Sequence, residues 1–209
     1  KNIKYKPYSA EFISSASLTN YRCDLSDNII YNGLRACYIN KIENKDYEFA
    51  LLGNSHAQMY VPSFIPKLRS HNKEGILLPM NWCLPTLTIN LDENCMKLAK
   101  DYYKNYINDK KIKKIIIATS WWHETLFDGK KYIDDVNHYK LTNSLLDLIA
   151  EIHKNGKEVY LIGPIQVPLY ELPQELSRLI KFKHITEDEL KKRLKVDRST
   201  FDKNYNNVI

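Results

Sequence analysis

Short apolar runs alternate with longer stretches of helical period through the middle of this chain. Residues 47–52, 75–80, 114–119 and 159–162 read as strands. Their apolar positions are largely consecutive, as in Ile115-Ile116-Ile117, and such runs suit strands buried on both faces of a parallel sheet. Between them, 57–70, 92–109 and 141–155 carry apolar residues three and four apart, for example Met96, Ala99, Tyr103 and Tyr106, which predicts amphipathic helices. Pro62 is expected in the first turn of its helix, where a missing N–H is tolerated, and Gly156 is placed to end the third helix. A further helix is expected over 172–195, broken near 182–184. Residues 1–20 are polar and without period, so they read as a linker, with a single domain over 21–209. Residues 23–37 read as a loop-rich segment, 81–90 as a loop and 120–139 as a polar, aromatic loop. The β-α-β-α order predicts an α/β fold, a three-layer sandwich whose mostly parallel sheet carries helices on both faces.

Gly53-Asn54-Ser55-His56 changes this picture from fold to chemistry. The first predicted strand ends there and a helix starts at once. Open α/β sheets place ligands at the C-terminal ends of their strands. Gly53 permits a sharp turn, and the backbone N–H groups at the helix start, with the helix dipole, favour negative charge. A hydroxyl at that spot can attack a carbonyl while those N–H groups hold the oxyanion, so Ser55 is a candidate nucleophile. Gly53 and Asn54 are candidates for the surrounding cleft. The same tripeptide also suits a turn in which Ser55 merely caps the helix. His56 is not expected to serve as the base for Ser55, because adjacent side chains diverge.

Composition restricts the partners. The chain of 209 residues is 44% hydrophobic and 27% charged, ordinary for a globular protein, and its net charge is +6. Acids interrupt the lysines, as Glu187, Asp188 and Glu189 do within 181–195, so the pattern describes a solvated helix face and not a nucleic-acid stripe. Tyr is the outlier, 15 against 6 Phe and 3 Trp, a bias that suits wet clefts and sugar contacts and equally a simple compositional habit. No apolar run reaches the roughly 18 residues that span a bilayer. With Lys1 at its start, the chain reads as a piece of something longer.

The cysteines fall as Cys23…Cys37 and Cys83…Cys95. No tight C-x-x-C knuckle is present, and the histidines show no metal spacing, so no metal is expected. Two short-loop disulfides fit these spacings and would imply an oxidising compartment, each contributing about 3 kcal/mol through loop entropy. Four buried free thiols are the alternative.

Taken together, these blocks carry a resemblance. Gly53-Asn54-Ser55-His56-Ala57, the pairs Cys23/Cys37 and Cys83/Cys95, Ile115-Ile116-Ile117-Ala118-Thr119-Ser120-Trp121, and 156–164 stand in an order and spacing similar to the SGNH (GDSL-type) hydrolase superfamily. The chain resembles in particular the extracytoplasmic SGNH domain fused to membrane acyltransferase-3 proteins, over about residues 20–205. The resemblance implies an SGNH-hydrolase, flavodoxin-like sheet. It makes Ser55 the nucleophile, with its own N–H as an oxyanion donor, and brings Gly75 near the family's oxyanion glycine. Ser120-Trp121-Trp122 stands where the wider superfamily has an asparagine block. Trp121 is therefore expected either at the substrate cleft or as a core plug, and Trp122 at the surface, with His123-Glu124 lining the cleft mouth. Asn54 replaces the aspartate of the usual Gly-Asp-Ser, which changes local charge without removing the nucleophile.

The family's base and acid come from a C-terminal Asp-x-x-His. The one such motif here, Asp135-Val136-Asn137-His138, lies in the loop after the third predicted strand, which is the wrong block; the working pair is otherwise expected beyond Ile209. The resemblance thus implies a serine-dependent acyltransferase or esterase. The expected reaction is O-acyl (acetyl) transfer to a cell-surface polysaccharide or lipopolysaccharide sugar. No cofactor is expected; the acyl donor would be an acetyl group derived from acetyl-CoA through a membrane acyltransferase-3 domain of the same parent chain. The expected acceptor is a polysaccharide or glycolipid, with no nucleic acid. The expected location is the periplasmic face, tethered to the inner membrane. A carbohydrate esterase and a catalytically silent glycan-binding or docking domain are the competing readings.

Overall fold

Asn32-Gly33 turns the chain between two short strands, β1 (Asn28–Tyr31) and β2 (Leu34–Ile39), with both turn residues at positive φ. That pair of conformations is what a two-residue hairpin turn demands, and Asn-Gly is the pair of residues that adopts it most readily. The stretch read as loop-rich is therefore in part a hairpin. Residues 28–43, 46–164, 186, 188–189, 192 and 197–205 are described by this computed structural model. The helix expected over 172–195 falls largely outside them.

Two compact units are present, one of residues 20–164 with 207–209 and one of residues 1–19 with 165–206. In the first, the chain continues through β3 (Phe49–Gly53), α1 (Ser55–Ser70), β4 (Gly75–Pro79), α2 (Glu93–Asn108), β5 (Lys114–Ile117), β6 (Thr125–Phe127), β7 (Tyr132–Asp134), α3 (Tyr139–Lys154) and β8 (Glu158–Leu161). In the second, α4 (Arg198–Tyr205) is a short helix with an Arg198–Asp202 ion pair along its surface.

Six strands form one sheet in the order β1-β2-β4-β3-β5-β8. The pairs β4–β3, β3–β5 and β5–β8 are parallel, while the β1–β2 hairpin joins antiparallel at the β4 edge. Period-2 alternation sorts the apolar run of each central strand onto two faces. Ala50, Leu52, Ile76, Leu78, Ile115 and Ile117 pack with Cys95, Ala99, Tyr102 and Tyr106 of α2 and Leu148 and Ile152 of α3. Phe49, Leu51 and Leu77 pack instead with Ala57, Val61 and Leu68 of α1. Helices thus cover both faces, as the consecutive apolar runs require. The fold class expected from the sequence, a mostly parallel α/β sandwich, is the one observed.

Three expectations change in detail. Helix α1 begins at Ser55 and runs through both Pro62 and Pro66, so Pro62 lies well inside the helix and not in its first turn. Burial of Val61 and Leu68 against the sheet outweighs the hydrogen bonds these prolines remove. The loop over 120–139 holds the β6–β7 hairpin, tied to the loop after β4 by paired hydrogen bonds between Asn90 and Phe127. Gly75 opens β4 beside Phe49, at the opposite end of the strands from Gly53. A Cβ there would meet the Phe49 ring, so Gly75 is a packing glycine and not an oxyanion residue.

Candidate active site

Strands β4, β3 and β5 end side by side, and β3 delivers Gly53 to the middle of that edge. Gly53 has φ +148°, and a Cβ on it would lie 1.8 Å from the Ala118 carbonyl oxygen. Its own carbonyl accepts from Met80 N at 2.7 Å. Only glycine fits between the neighbouring strand ends in this conformation. Asn54 follows as the N-cap of α1, and Ser55 is the first helical residue, exposed to solvent. Its position puts the hydroxyl beside the positive end of the helix.

Asn54 is buried and acts through its neighbours. Its Oδ1 accepts from His56 N at 3.0 Å, capping the helix, and its Nδ2 donates to Ser120 Oγ at 2.7 Å. Ser120 Oγ in turn lies 2.7 Å from His123 Nε2. A serine has one hydroxyl proton; with Asn54 donating to the oxygen, that proton is left for Nε2 of a neutral imidazole. The electrostatics agree. Burial, with additional repulsion from His138 and His56, pulls the His123 imidazole down to about 4. Burial also lowers His56. Three histidines thus interact at one end of the sheet, although no metal-ligand spacing linked them in the sequence.

The Asp135–His138 motif does not form an acid–base pair here. Both Asp135 oxygens are occupied by the first turn of α3, accepting from Lys140 N and Leu141 N at 2.9 Å each. His138 is buried at φ +57°, its ring centroid 4.9 Å from that of Trp122 with the two planes tilted by 56°, and neither ring nitrogen has a hydrogen-bond partner. The motif is a helix-capping turn built from the same residue types. Trp121 is also buried, whereas Trp122 beside it is exposed.

On the other flank of Ser55, the loop leaving β4 is held firmly. Cys83 and Cys95 form a disulfide to α2, as the spacing suggested. Cys37 is also disulfide-bonded; its expected partner, Cys23, lies outside the described residues. Gln58 of α1 donates to Asn81 Oδ1, and the fully buried Asn90 side chain bonds Leu84 N, Leu84 O and Thr86 O. Gln58, Asn81 and Asn90 escaped the reading of the sequence, and Ser120 entered it only as part of the Ser120-Trp121-Trp122 block, since a polar pairing distant in sequence leaves no periodic signal. Asn81 did stand directly after a strand, where this architecture places function.

A strand-borne Gly-Asn-Ser turn at the head of a helix, on the C-terminal edge of a mostly parallel sheet, is the arrangement of an α/β serine hydrolase or acyl-transfer fold. The family model for the SGNH domain fused to AT3 domains matches residues 22–209, and the chain belongs to that family. A comparison with curated proteins finds no match. Among solved structures, the periplasmic domain of the lipopolysaccharide acetyltransferase of Salmonella ser. Paratyphi A has a similar fold, with a TM-score of 0.56 at 16% identity. The match covers 79% of this chain and 63% of that one. Domains of this family are described as fused to AT3 domains. Among the described residues, no helix is long and apolar enough to cross a membrane.

Proposed function

We propose that this chain is an O-acyltransferase domain in which Ser55 carries an acyl group, most simply acetyl, to a hydroxyl of a cell-surface polysaccharide or lipopolysaccharide sugar. The observation that carries this reading is the exposed Ser55 at the head of α1, placed there by a Gly53 that no other residue can replace. In the first half-reaction Ser55 Oγ attacks the acyl carbonyl carbon, its proton passes to a base, and the donor's leaving group departs with a proton. In the second, the sugar hydroxyl attacks the acyl-serine, gives up its proton, and releases Ser55. The helix-start N–H groups stabilise the oxyanion in both steps. The acetyl donor would be fed by the membrane acyltransferase-3 domain of the parent protein, from acetyl-CoA, and the site would face the periplasm.

The base must come within hydrogen-bond reach of Ser55. His123 Nε2 is engaged by Ser120, and both ring nitrogens of His138 are buried with no hydrogen-bond partner, Ser55 included, so the test sets His138, from the chain's one Asp-x-x-His motif, against a base supplied from elsewhere. The test is labelling of Ser55 by a fluorophosphonate, compared between the native chain, Ser55→Ala and His138→Ala. Labelling that vanishes in Ser55→Ala establishes the nucleophile, and loss in His138→Ala assigns the base. Labelling retained in His138→Ala moves the base to the C-terminal block expected of the family. Glycan acylation by the full-length parent that survives Ser55→Ala would overturn the proposal in favour of a silent glycan-binding domain.

A further inference from the structure

Residues Met80 to Cys83 form a tight turn closed by Cys83 N donating to Met80 O at 2.9 Å. Its central residues are Asn81 and Trp82, and Trp82 sits at φ +62°. A turn with positive φ at its third residue ordinarily asks for glycine there, and a bulky side chain in that conformation is an outlier. Trp82 is nonetheless 88% exposed, the most exposed of the large apolar side chains among the described residues. Neither burial nor backbone preference accounts for a tryptophan at this position. The turn is also fixed on each side, by Asn81 against Gln58 and by the Cys83–Cys95 disulfide. An exposed aromatic held in a costly conformation by a rigid frame is a feature that marks ligand contact.

Its place in the sheet says which ligand. β4 and β5 flank β3, so the loops carrying Trp82 and Trp122 leave the sheet on opposite sides of the Ser55 turn, about 10 Å apart by two strand spacings. Polar side chains of Asn81, Gln58 and Ser55 stand at this same edge of the sheet. One flat indole with an N–H donor among amides and hydroxyls suits the apolar face and hydroxyl rim of a sugar ring; a membrane surface would call for a broader apolar patch. We propose that Trp82 is the stacking platform for a sugar residue of the acceptor and sets which glycan is presented to Ser55. The inference rests on the acyl-transfer reading above.

The test follows the three tryptophan indole N–H signals of the chain by NMR, with Trp82 assigned by substitution. Maltohexaose, chitohexaose and hexagalacturonate are titrated separately, beside vesicles of phosphatidylethanolamine and phosphatidylglycerol. The Trp82 signal is expected to shift with at least one oligosaccharide. Affinity should fall about tenfold in Trp82→Gly and recover in Trp82→Phe, the loss expected on removing one aromatic contact. Glycine suits the positive φ, so Trp82→Gly keeps the fold and its thermal midpoint does not drop. A silent Trp82 signal with all three sugars, an unchanged affinity in Trp82→Gly, or a shift with vesicles alone would overturn the proposal. Ser55→Ala binds the same sugars. Failure of Ser55 labelling would therefore sink the acyl-transfer reading without touching the binding result.

Discussion

The Asn54 amide donates to Ser120 Oγ at 2.7 Å, so the residue before the nucleophile is tied to the loop leaving β5. The same amide caps α1 through His56 N, which fixes which end is oxygen and which is nitrogen. Ser120 passes the constraint on to His123. One side chain thus holds the helix start and sets the proton inventory of the neighbouring loop.

Replacing Asn54 by the aspartate of the usual Gly-Asp-Ser should reverse that inventory. The carboxylate introduced by Asn54→Asp would accept from Ser120, and Ser120 would then accept from His123 Nε2–H, which favours imidazolium. In this variant the His123 imidazole should rise by about one pH unit or more from its low native value. Imidazole proton shifts in an NMR titration read this directly. An unmoved His123 would show that the Asn54–Ser120–His123 chain does not operate in solution.

Gly53→Ala is expected to be far more damaging than its single methyl suggests. The added Cβ would meet Ala118 backbone at 1.8 Å from the oxygen and 2.8 Å from the carbon, and backbone cannot swing aside as a flexible side chain would. The positive φ adds strain of its own. Together these should cost on the order of 3 kcal/mol or more, and Ser55 labelling should fall with them. Denaturant melts of the variant check the first expectation; a midpoint matching the native chain would mean that the turn relaxes freely.

How much of this was legible follows from where the signals lie. Ile115-Ile116-Ile117 and Phe49-Ala50-Leu51-Leu52 announced buried parallel strands, because burial on both faces removes the polar half of the pattern. Gly53-Asn54-Ser55 announced the strand-turn-helix because glycine, cap and helix start are local chemistry. The β1–β2 hairpin also had a local mark in Asn32-Gly33, which the cysteine spacing overshadowed. What remained hidden is long-range. Ser120 is 66 residues from Asn54, and Asn81 is 23 from Gln58, with no periodicity connecting either pair. Asp135-x-x-His138 shows the converse: a family motif by spelling, it folds into a cap for α3, since carboxylates serve helix N–H groups as readily as imidazoles.

Acid sensitivity offers the last check on the same network. His123 falls from an ordinary 6.5 to about 4 in the folded chain, chiefly through burial. Between those values the unfolded chain binds a proton that the native chain refuses, so unfolding free energy rises with pH across that window. Stability should therefore be complete above about pH 6.5, decline as pH falls, and level off for this group below about 4. Allowing for partial solvent screening, the loss should be on the order of 2 kcal/mol. His56, also lowered by burial, acts in the same direction. His123→Gln removes the titration while keeping a polar partner for Ser120, and its stability should fall less between about pH 6.5 and 4 than that of the native chain. Urea melts across that range compare the two slopes. Parallel slopes would mean that His123 does not shed its proton on folding, and with it would go the assignment of a neutral imidazole beside Ser120.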